Sequence, residues 1–127
     1  MVTAIIETNV IVDLLRNYPP AVKWITAQSH PTMGITPFVW MEVIEGGENK
    51  VERLRSAQLL RRFSMIYPEQ SDLDWAMQQQ MAYQLSHGVD SMDCLIASVS
   101  HRLQIPLYTH NLKHFVPLLG GLAQKPY

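Results

Sequence analysis

Three acidic residues and one amide lie where a parallel sheet would bring them together. Glu7 directly follows the apolar run at residues 3–6, and Asn111 follows a second run at 105–109. Glu42 and Asp93 lie on segments with helical spacing. Carboxylates that share a pocket repel one another unless a cation is present, and the hard cations Mg²⁺ and Mn²⁺ prefer such oxygen ligands. An ion of this kind activates water and steadies a phosphodiester during in-line attack.

Each of these residues also has a purely structural interpretation. Asp93 could be a favourable charge in the first turn of its helix, and Asn111 could be a turn residue. Glu42 could face solvent, although its apolar neighbours at 39–44 leave little room for an exposed face. Glu7 is the hardest to explain this way, because an acid at the end of a buried strand needs a partner. Spacing alone leaves both interpretations open.

The elements that must position these residues alternate between strands and helices. Apolar runs predict strands near residues 3–6, 31–35, 64–68 and 105–109, and the tail can add an edge strand. Helical spacing predicts helices near 9–17, 21–28, 37–46, 48–63, 71–87 and 90–103, with one turn at 111–115. This alternation is typical of an α/β protein with a parallel sheet of about four or five strands and helices on both faces. The carboxyl ends of such strands meet at one edge, where we expect the four polar residues to converge.

Composition limits the class of protein. The chain has 127 residues, of which 47% are hydrophobic and 17% charged, and its formal net charge is −1. These values are typical of one globular domain and give no bulk attraction to nucleic acid or membrane. The single cysteine, Cys94, excludes an internal disulfide and is more easily explained by packing than by nucleophilic chemistry. No apolar run approaches the roughly 20 residues that span a bilayer, and no basic segment typical of a signal peptide precedes the first run. We therefore expect a cytoplasmic protein.

Half of the ten basic residues occur within one predicted helical segment. They are Lys50, Arg53, Arg55, Arg61 and Arg62. Such a cluster is commonly a solvated helix face, and it is equally consistent with a strip that contacts nucleic acid phosphates. The sequence leaves both open.

Histidines suggest a different metal. His110 and His114 are four residues apart, and His87 and His101 lie upstream. No HExxH or Cys–His pattern accompanies them, so a zinc site is less favoured than the carboxylate site. The roles of these histidines and of Asp90 are not readable from the sequence.

Four stretches resemble, in order, the signature blocks of PIN domains. They are IIETNVIVDLL, TPFVWMEVIEG, DCLIASV and LYTHNLKHF, and they are distributed along nearly the full chain. The closest subgroup is the VapC-type toxins of bacterial and archaeal toxin–antitoxin pairs. The resemblance implies a single PIN-like domain over residues 1–127 with a Rossmann-like sheet in strand order 3-2-1-4-5. It also implies an endoribonuclease that depends on Mg²⁺ or Mn²⁺, forms a homodimer and binds an antitoxin.

The resemblance also assigns site residues by position. It implies that Glu7, Glu42 and Asp93 are catalytic acids, with Glu7 and Asp93 holding the metal, and that Asn111 occupies the place of a fourth Asp, which is often Asn. Thr8 would orient the first carboxylate and Asn9 would line the pocket.

Glu7 departs from the family pattern, which has Asp at this position. The extra methylene moves the carboxylate by about 1.5 Å, the length of one carbon–carbon bond. Mg²⁺ demands near-ideal octahedral geometry, so this change either weakens the nuclease or marks a variant site.

Two other functions compete with the nuclease. The first is a decayed module that still binds an antitoxin or nucleic acid, and the second is a different metal-dependent nuclease or phosphohydrolase. Metal titration and RNA cleavage distinguish them. Seven methionines and three tryptophans also suggest an apolar dimer contact, through Trp40 or the Met77–Met81 stripe, unless all of them are core residues.

Overall fold

The sheet is parallel throughout. The computed structural model describes residues 1–28 and 32–127. Its strands are β1 (Ala4–Ile6), β2 (Met33–Ile35), β3 (Ser64–Met65), β4 (Leu107–Tyr108) and β5 (Ala123–Gln124). They are ordered β3-β2-β1-β4-β5, and every neighbouring pair is parallel. This confirms the predicted fold class and strand order. Pro31, within the predicted second strand, lies outside the described residues.

Helices connect the strands on both faces of the sheet. They are α1 (Thr8–Leu15), α2 (Pro19–Thr26), α3 (Pro37–Glu45), α4 (Lys50–Leu60), α5 (Gln70–His87), α6 (Ser91–Leu103) and α7 (Leu112–Leu119). From β1 the chain steps outward to β2 and β3, and it then returns across the sheet to β4 and β5. Because crossovers between parallel strands are right-handed, α1–α4 cover one face and α5–α7 the other. No helix among the described residues is both long and apolar enough to cross a membrane.

The core surrounds the central strand. Ile5 and Ile6 of β1 are fully buried, as are Val10 on α1, Leu107 on β4 and Phe115 on α7. Burying an aliphatic or aromatic side chain of this size contributes about 1.5–3 kcal/mol. The apolar run of β1 therefore fixes the middle of the sheet, and Glu7 stands where that run ends.

Side-chain caps set several helix boundaries. Thr36 accepts a hydrogen bond from the Val39 backbone N–H at 3.3 Å, and Pro37 takes the first helical position, so α3 begins where the sequence predicted a helix near 37–46. Helix α7 is longer than the predicted single turn, because it continues through Pro117 to Leu119. The prediction treated this segment as a turn, whereas the buried side chains of Phe115, Leu118 and Leu119 hold it as a helix.

Helix α5 carries an exposed apolar stripe. Leu73, Met77, Met81 and Leu85 follow one another every four residues, and their exposed fractions are 40%, 58%, 88% and 101%. Four-residue spacing places them on one side of the helix. The methionines of this stripe are therefore not core residues of this chain.

Candidate active site

Glu7 joins the end of β1 to the start of α1. It is the N-cap residue of α1, and its Oε2 accepts a hydrogen bond from the Asn9 backbone N–H at 3.3 Å. The Thr109 hydroxyl donates to the same oxygen at 3.3 Å. Glu7 is only 7% exposed. One oxygen of this carboxylate is thus anchored, and Oε1 receives no hydrogen bond from the described residues.

Glu42 is anchored by Thr8. The Thr8 hydroxyl donates to Glu42 Oε1 at 2.6 Å and so connects α1 to α3, which pack against each other. The resemblance implied that Thr8 orients Glu7, and the structure corrects this. Thr8 lies on the first turn of α1, where its hydroxyl reaches the neighbouring helix. Glu42 is half-buried, and its Oε2 has no hydrogen bond within the described part of the chain.

Asp93 belongs to a capping box at the start of α6. Asp90 Oδ1 accepts from the Asp93 backbone N–H at 2.7 Å, and Asp93 Oδ2 accepts from the Asp90 backbone N–H at 3.2 Å. His114 Nδ1 lies 3.1 Å from the same Asp93 oxygen. The Asn111 amide nitrogen is 3.0 Å from that ring nitrogen, so Asn111 connects to Asp93 through His114. Asp93 is therefore both a cap, as the structural interpretation held, and a member of the acidic cluster.

Electrostatics couple the three acids. Burial, reinforced by the charges of Glu42 and Asp93, raises the pKa of Glu7 from 4.5 to about 7. Burial is also the largest cause of the raised pKa values of Glu42 and Asp93, and the charge of Asp90 contributes to both. Among the described residues, no Lys or Arg forms an ion pair with Glu7, Glu42 or Asp93. Within the described part of the chain, the His114 ring beside Asp93 is thus the basic group that contacts these acids.

The donor set fits Mg²⁺ or Mn²⁺ better than zinc. Each carboxylate is anchored through one oxygen and keeps the other free of hydrogen bonds from the described residues. Within residues 1–28 and 32–127, no three His, Cys, Asp or Glu side chains stand close enough to hold a metal ion on their own. A zinc site needs about three or four protein ligands, whereas Mg²⁺ uses one or two carboxylates and completes its shell with water and substrate phosphate.

Asn9 and Thr109 tie the pocket together. Asn9 Nδ2 donates to the Thr109 hydroxyl at 3.4 Å, and Asn9 Oδ1 accepts from the His110 backbone N–H at 3.3 Å. The Thr109 hydroxyl also accepts from the Asn111 backbone N–H at 2.9 Å. Thr109 was not among the predicted site residues. The signal was its position, because pairing of Ile6 with Tyr108 places the next residues, Glu7 and Thr109, side by side.

The five basic residues do not form one strip. Arg55 and Arg62 line a cavity of about 200 Å³ together with Asn17 and Gln58, and no acidic residue of the described part of the chain lines it. Arg55 also lines an adjoining cavity of about 350 Å³ that reaches Glu42.

The other basic residues lie elsewhere. Lys50 and Arg53 line a third cavity, of about 560 Å³, together with Trp40 and Glu48. Arg61 is exposed and lines none of these three cavities.

The histidines and the cysteine have separate environments. His101 stacks on Trp75 with 4.5 Å between ring centroids, and His87 lies edge-on to Tyr83 at 5.4 Å. His110 and His114 contact different acids, so the described histidines do not assemble a zinc site. Cys94 is buried, and burial raises the pKa of its thiol to about 11, which supports the packing interpretation.

The fold and the site together define a class, namely an α/β protein whose parallel sheet gathers acidic residues at its carboxyl edge. The sequence model of the PIN domain family matches residues 4–115, so the chain belongs to the PIN domain family. A search of curated proteins found no match.

Solved structures share this fold. A toxin–antitoxin complex from Klebsiella pneumoniae contains a chain with a TM-score of 0.81 and 22% identity, and 98% of each chain is covered. VapBC-1 from nontypeable Haemophilus influenzae contains a chain with a TM-score of 0.73 and 23% identity, and the match covers 93% of this chain and 92% of that one. DNA-bound VapBC from Salmonella typhimurium contains a chain with a TM-score of 0.72 and 21% identity over 91% of each chain. At these identities the likeness is one of fold.

Proposed function

We propose that this PIN domain is an endoribonuclease that depends on Mg²⁺ or Mn²⁺ and hydrolyses RNA phosphodiesters. The observation that carries the proposal is the cluster of Glu7, Glu42 and Asp93. Each of these carboxylates is anchored through one oxygen, and none forms an ion pair with a Lys or Arg among the described residues, although Asp93 contacts the His114 ring. The pKa values of all three carboxyls are raised, and a bound cation would favour their ionised form.

The chain's own residues orient the acids. Glu7 and Asp93 are the proposed metal ligands, and Glu42 is the third catalytic acid. Asn9 and Thr109 hold Glu7, and Thr8 holds Glu42. When bound, the ion would lower the pKa of water and stabilise charge on the phosphodiester.

Asn111 is proposed to support the site beside Asp93. Its amide nitrogen lies 3.0 Å from His114 Nδ1, the same ring nitrogen that lies 3.1 Å from Asp93 Oδ2. We assign Asn111 this supporting place at the rim.

The basic residues are proposed to contact RNA phosphates. Arg55 and Arg62 are the strongest candidates, because the cavity that they line contains no acid among the described residues and adjoins the one that reaches Glu42. Lys50 and Arg53 offer a second patch, and Arg61 an exposed charge nearby. Phosphate contacts of this type supply sequence-independent affinity that falls with salt.

The proposed biological role is that of a VapC-type toxin whose single domain spans residues 1–127, acts in the cytoplasm and is held by an antitoxin. Two of the similar structures are VapBC complexes and one is a toxin–antitoxin complex, which supports this role. We also propose a homodimer, supported by the exposed stripe of α5, since contiguous exposed apolar residues mark interfaces.

The competing proposal is a decayed PIN module that binds its partner and does not cut RNA. Glu7 favours this alternative, because Asp is usual at this position of the family. An assay with Mn²⁺ and single-stranded RNA distinguishes the two. We expect the unaltered chain to cleave weakly and Glu7→Asp to cleave about 10- to 100-fold faster, the change that a misplacement near 1 Å typically produces.

Two controls make the assay decisive. Glu7→Gln should abolish the remaining activity, because it removes a charge that the cation requires. Asp93→Asn should abolish RNA cleavage by the Glu7→Asp variant. Glu7→Asp could leave cleavage unchanged or lower it while the unaltered chain binds Mn²⁺ normally. In that case the other residues of the site are adapted to the longer side chain of Glu7. If neither chain cleaves or binds Mn²⁺, the decayed module is the correct function.

A further inference from the structure

A cavity outside the carboxylate cluster combines aromatic rings with charged groups. It measures about 470 Å³ and is lined by Asp13, Tyr18, Pro20, His110, Lys125 and Tyr127. Neither the metal site nor the basic cluster uses these residues. Single-stranded RNA is commonly recognised by stacking an unpaired base on an aromatic ring and bonding its polar edge.

The wall of this cavity is continuous with the candidate active site. The His110 backbone N–H donates to Asn9 Oδ1 at 3.3 Å, and Asn9 donates its own N–H to Glu7 Oε2. The residue before His110 is Thr109, whose hydroxyl donates to Glu7 Oε2 at 3.3 Å. The residues that anchor Glu7 are therefore bonded or adjacent in sequence to His110 of the cavity wall, so the cavity neighbours the candidate active site.

Tyr18 is presented on a fixed backbone. Its N–H donates to the Asp13 carbonyl at 3.0 Å. It lies between Asn17, whose φ is +53°, and Pro19, whose ring restricts the preceding residue to an extended conformation. The Tyr18 residue is 48% exposed, and its ring centroid lies 6.2 Å from that of Tyr127. A half-exposed ring on a restricted backbone offers a stacking face at a reduced entropic cost.

The polar groups of the cavity are arranged for hydrogen bonding. Tyr127 donates its hydroxyl to Asp13 Oδ2 at 2.7 Å, and His110 Nε2 lies 3.9 Å from the same oxygen. Burial, together with the Asp13 bond, raises the pKa of Tyr127, so its phenol remains a donor. Asp13 Oδ1 receives no hydrogen bond from the described residues, and Lys125 forms no ion pair with them. One acceptor and one donor thus remain available to a ligand.

We propose that this cavity is a nucleobase subsite. It stacks one unpaired base of the RNA strand on Tyr18, while Asp13 and Lys125 bond the polar edge of that base. The inference rests on the proposed ribonuclease function, for which the subsite fixes the strand beside the carboxylates.

The test measures binding without cleavage. A short fluorescent single-stranded RNA, and versions with one abasic position each, are titrated in EDTA against the unaltered chain and three variants. Tyr18→Ala removes the stacking ring, and Tyr18→Phe keeps it. Tyr67→Ala is the matched control, because Tyr67 is 70% exposed and lies outside the cavity.

We expect one abasic position to weaken binding to the unaltered chain by about tenfold, the usual effect of one lost stacking contact. Tyr18→Ala should weaken binding of the intact RNA by a similar factor. The affinity of this variant should be the same for the intact RNA and for the RNA with that abasic position. Tyr18→Phe and Tyr67→Ala should behave like the unaltered chain.

Other outcomes overturn the subsite. They are no RNA binding at all, equal losses at every abasic position, or unchanged binding by Tyr18→Ala. Tight binding of free nucleoside monophosphates that depends on Tyr18, with RNA binding independent of it, would assign the cavity to a free nucleotide. Because EDTA prevents metal-dependent cutting, the subsite can stand even where the Mn²⁺ cleavage assay fails, and cleavage can be found where the subsite is wrong.

Discussion

The buried carboxyl of Glu7 makes stability depend on pH in a direction opposite to that of most acids. Its pKa rises from 4.5 to about 7 on folding, chiefly through burial. Between these values the folded chain binds more protons than the unfolded chain, so the free energy of unfolding falls as pH rises through this window. The corresponding loss is roughly 3 kcal/mol, at about 1.36 kcal/mol for each pH unit between the two pKa values. This is a large fraction of the stability of a small domain.

Glu7→Gln tests this directly. The amide is neutral at every pH and can still accept the bonds from Asn9 and Thr109 that Glu7 accepts. Urea denaturation without metal, from about pH 4.5 to about pH 8, should give similar stabilities at the acid end. At the alkaline end Glu7→Gln should be more stable by roughly 3 kcal/mol. Asp74→Asn, which removes one charge from exposed α5, controls for net charge and should keep the pH dependence of the unaltered chain.

Mn²⁺ supplies a second readout on the same proteins. A ligand that binds only the folded state stabilises it by about 2.7 kcal/mol at a hundred times its dissociation constant. At about pH 8 the ion should therefore raise the stability of the unaltered chain, and it should affect Glu7→Gln much less. If the unaltered chain and Glu7→Gln show the same pH dependence, Glu7 is not a destabilising buried charge and the electrostatic argument for the site fails.

Two further predictions concern the surfaces. The logarithm of the RNA binding constant falls linearly with the logarithm of the salt concentration. Arg62→Gln should make this slope shallower by about 0.7, the value for one single-strand phosphate contact. Lys50→Gln should have a smaller effect, since Glu48 lines the same cavity; equal effects would contradict this ordering. Met81→Lys should convert a dimer into a 14.5 kDa monomer by light scattering at micromolar concentration, whereas Val51→Lys, at an exposed apolar residue of α4, should not. A 14.5 kDa mass for the unaltered chain would refute the dimer.

The sheet was predictable because its signals are local. The run that forms β1 is wholly buried, and Thr36 with Pro37 marks the start of α3 in the sequence itself. What could not be predicted depends on register and packing. Thr109 gains its place beside Glu7 only when β4 pairs with β1. Thr8 bonds Glu42 because α1 packs on α3, a contact between residues 34 positions apart.

The two oxygens of Glu7 explain how one residue can serve both the fold and the site. Oε2 accepts from the Asn9 N–H, which is the bond that an N-cap side chain makes at the start of a helix. The longer arm of Glu still makes this bond, so the extra methylene is accommodated within the pocket and the carboxylate remains at the helix terminus. Asp is the stronger N-cap and would make the same bond with a shorter arm, which leaves more space for water and phosphate around Oε1. We expect Asp to keep the N-cap bond to the Asn9 N–H, so the gain expected from Glu7→Asp comes from space and orientation at the free oxygen.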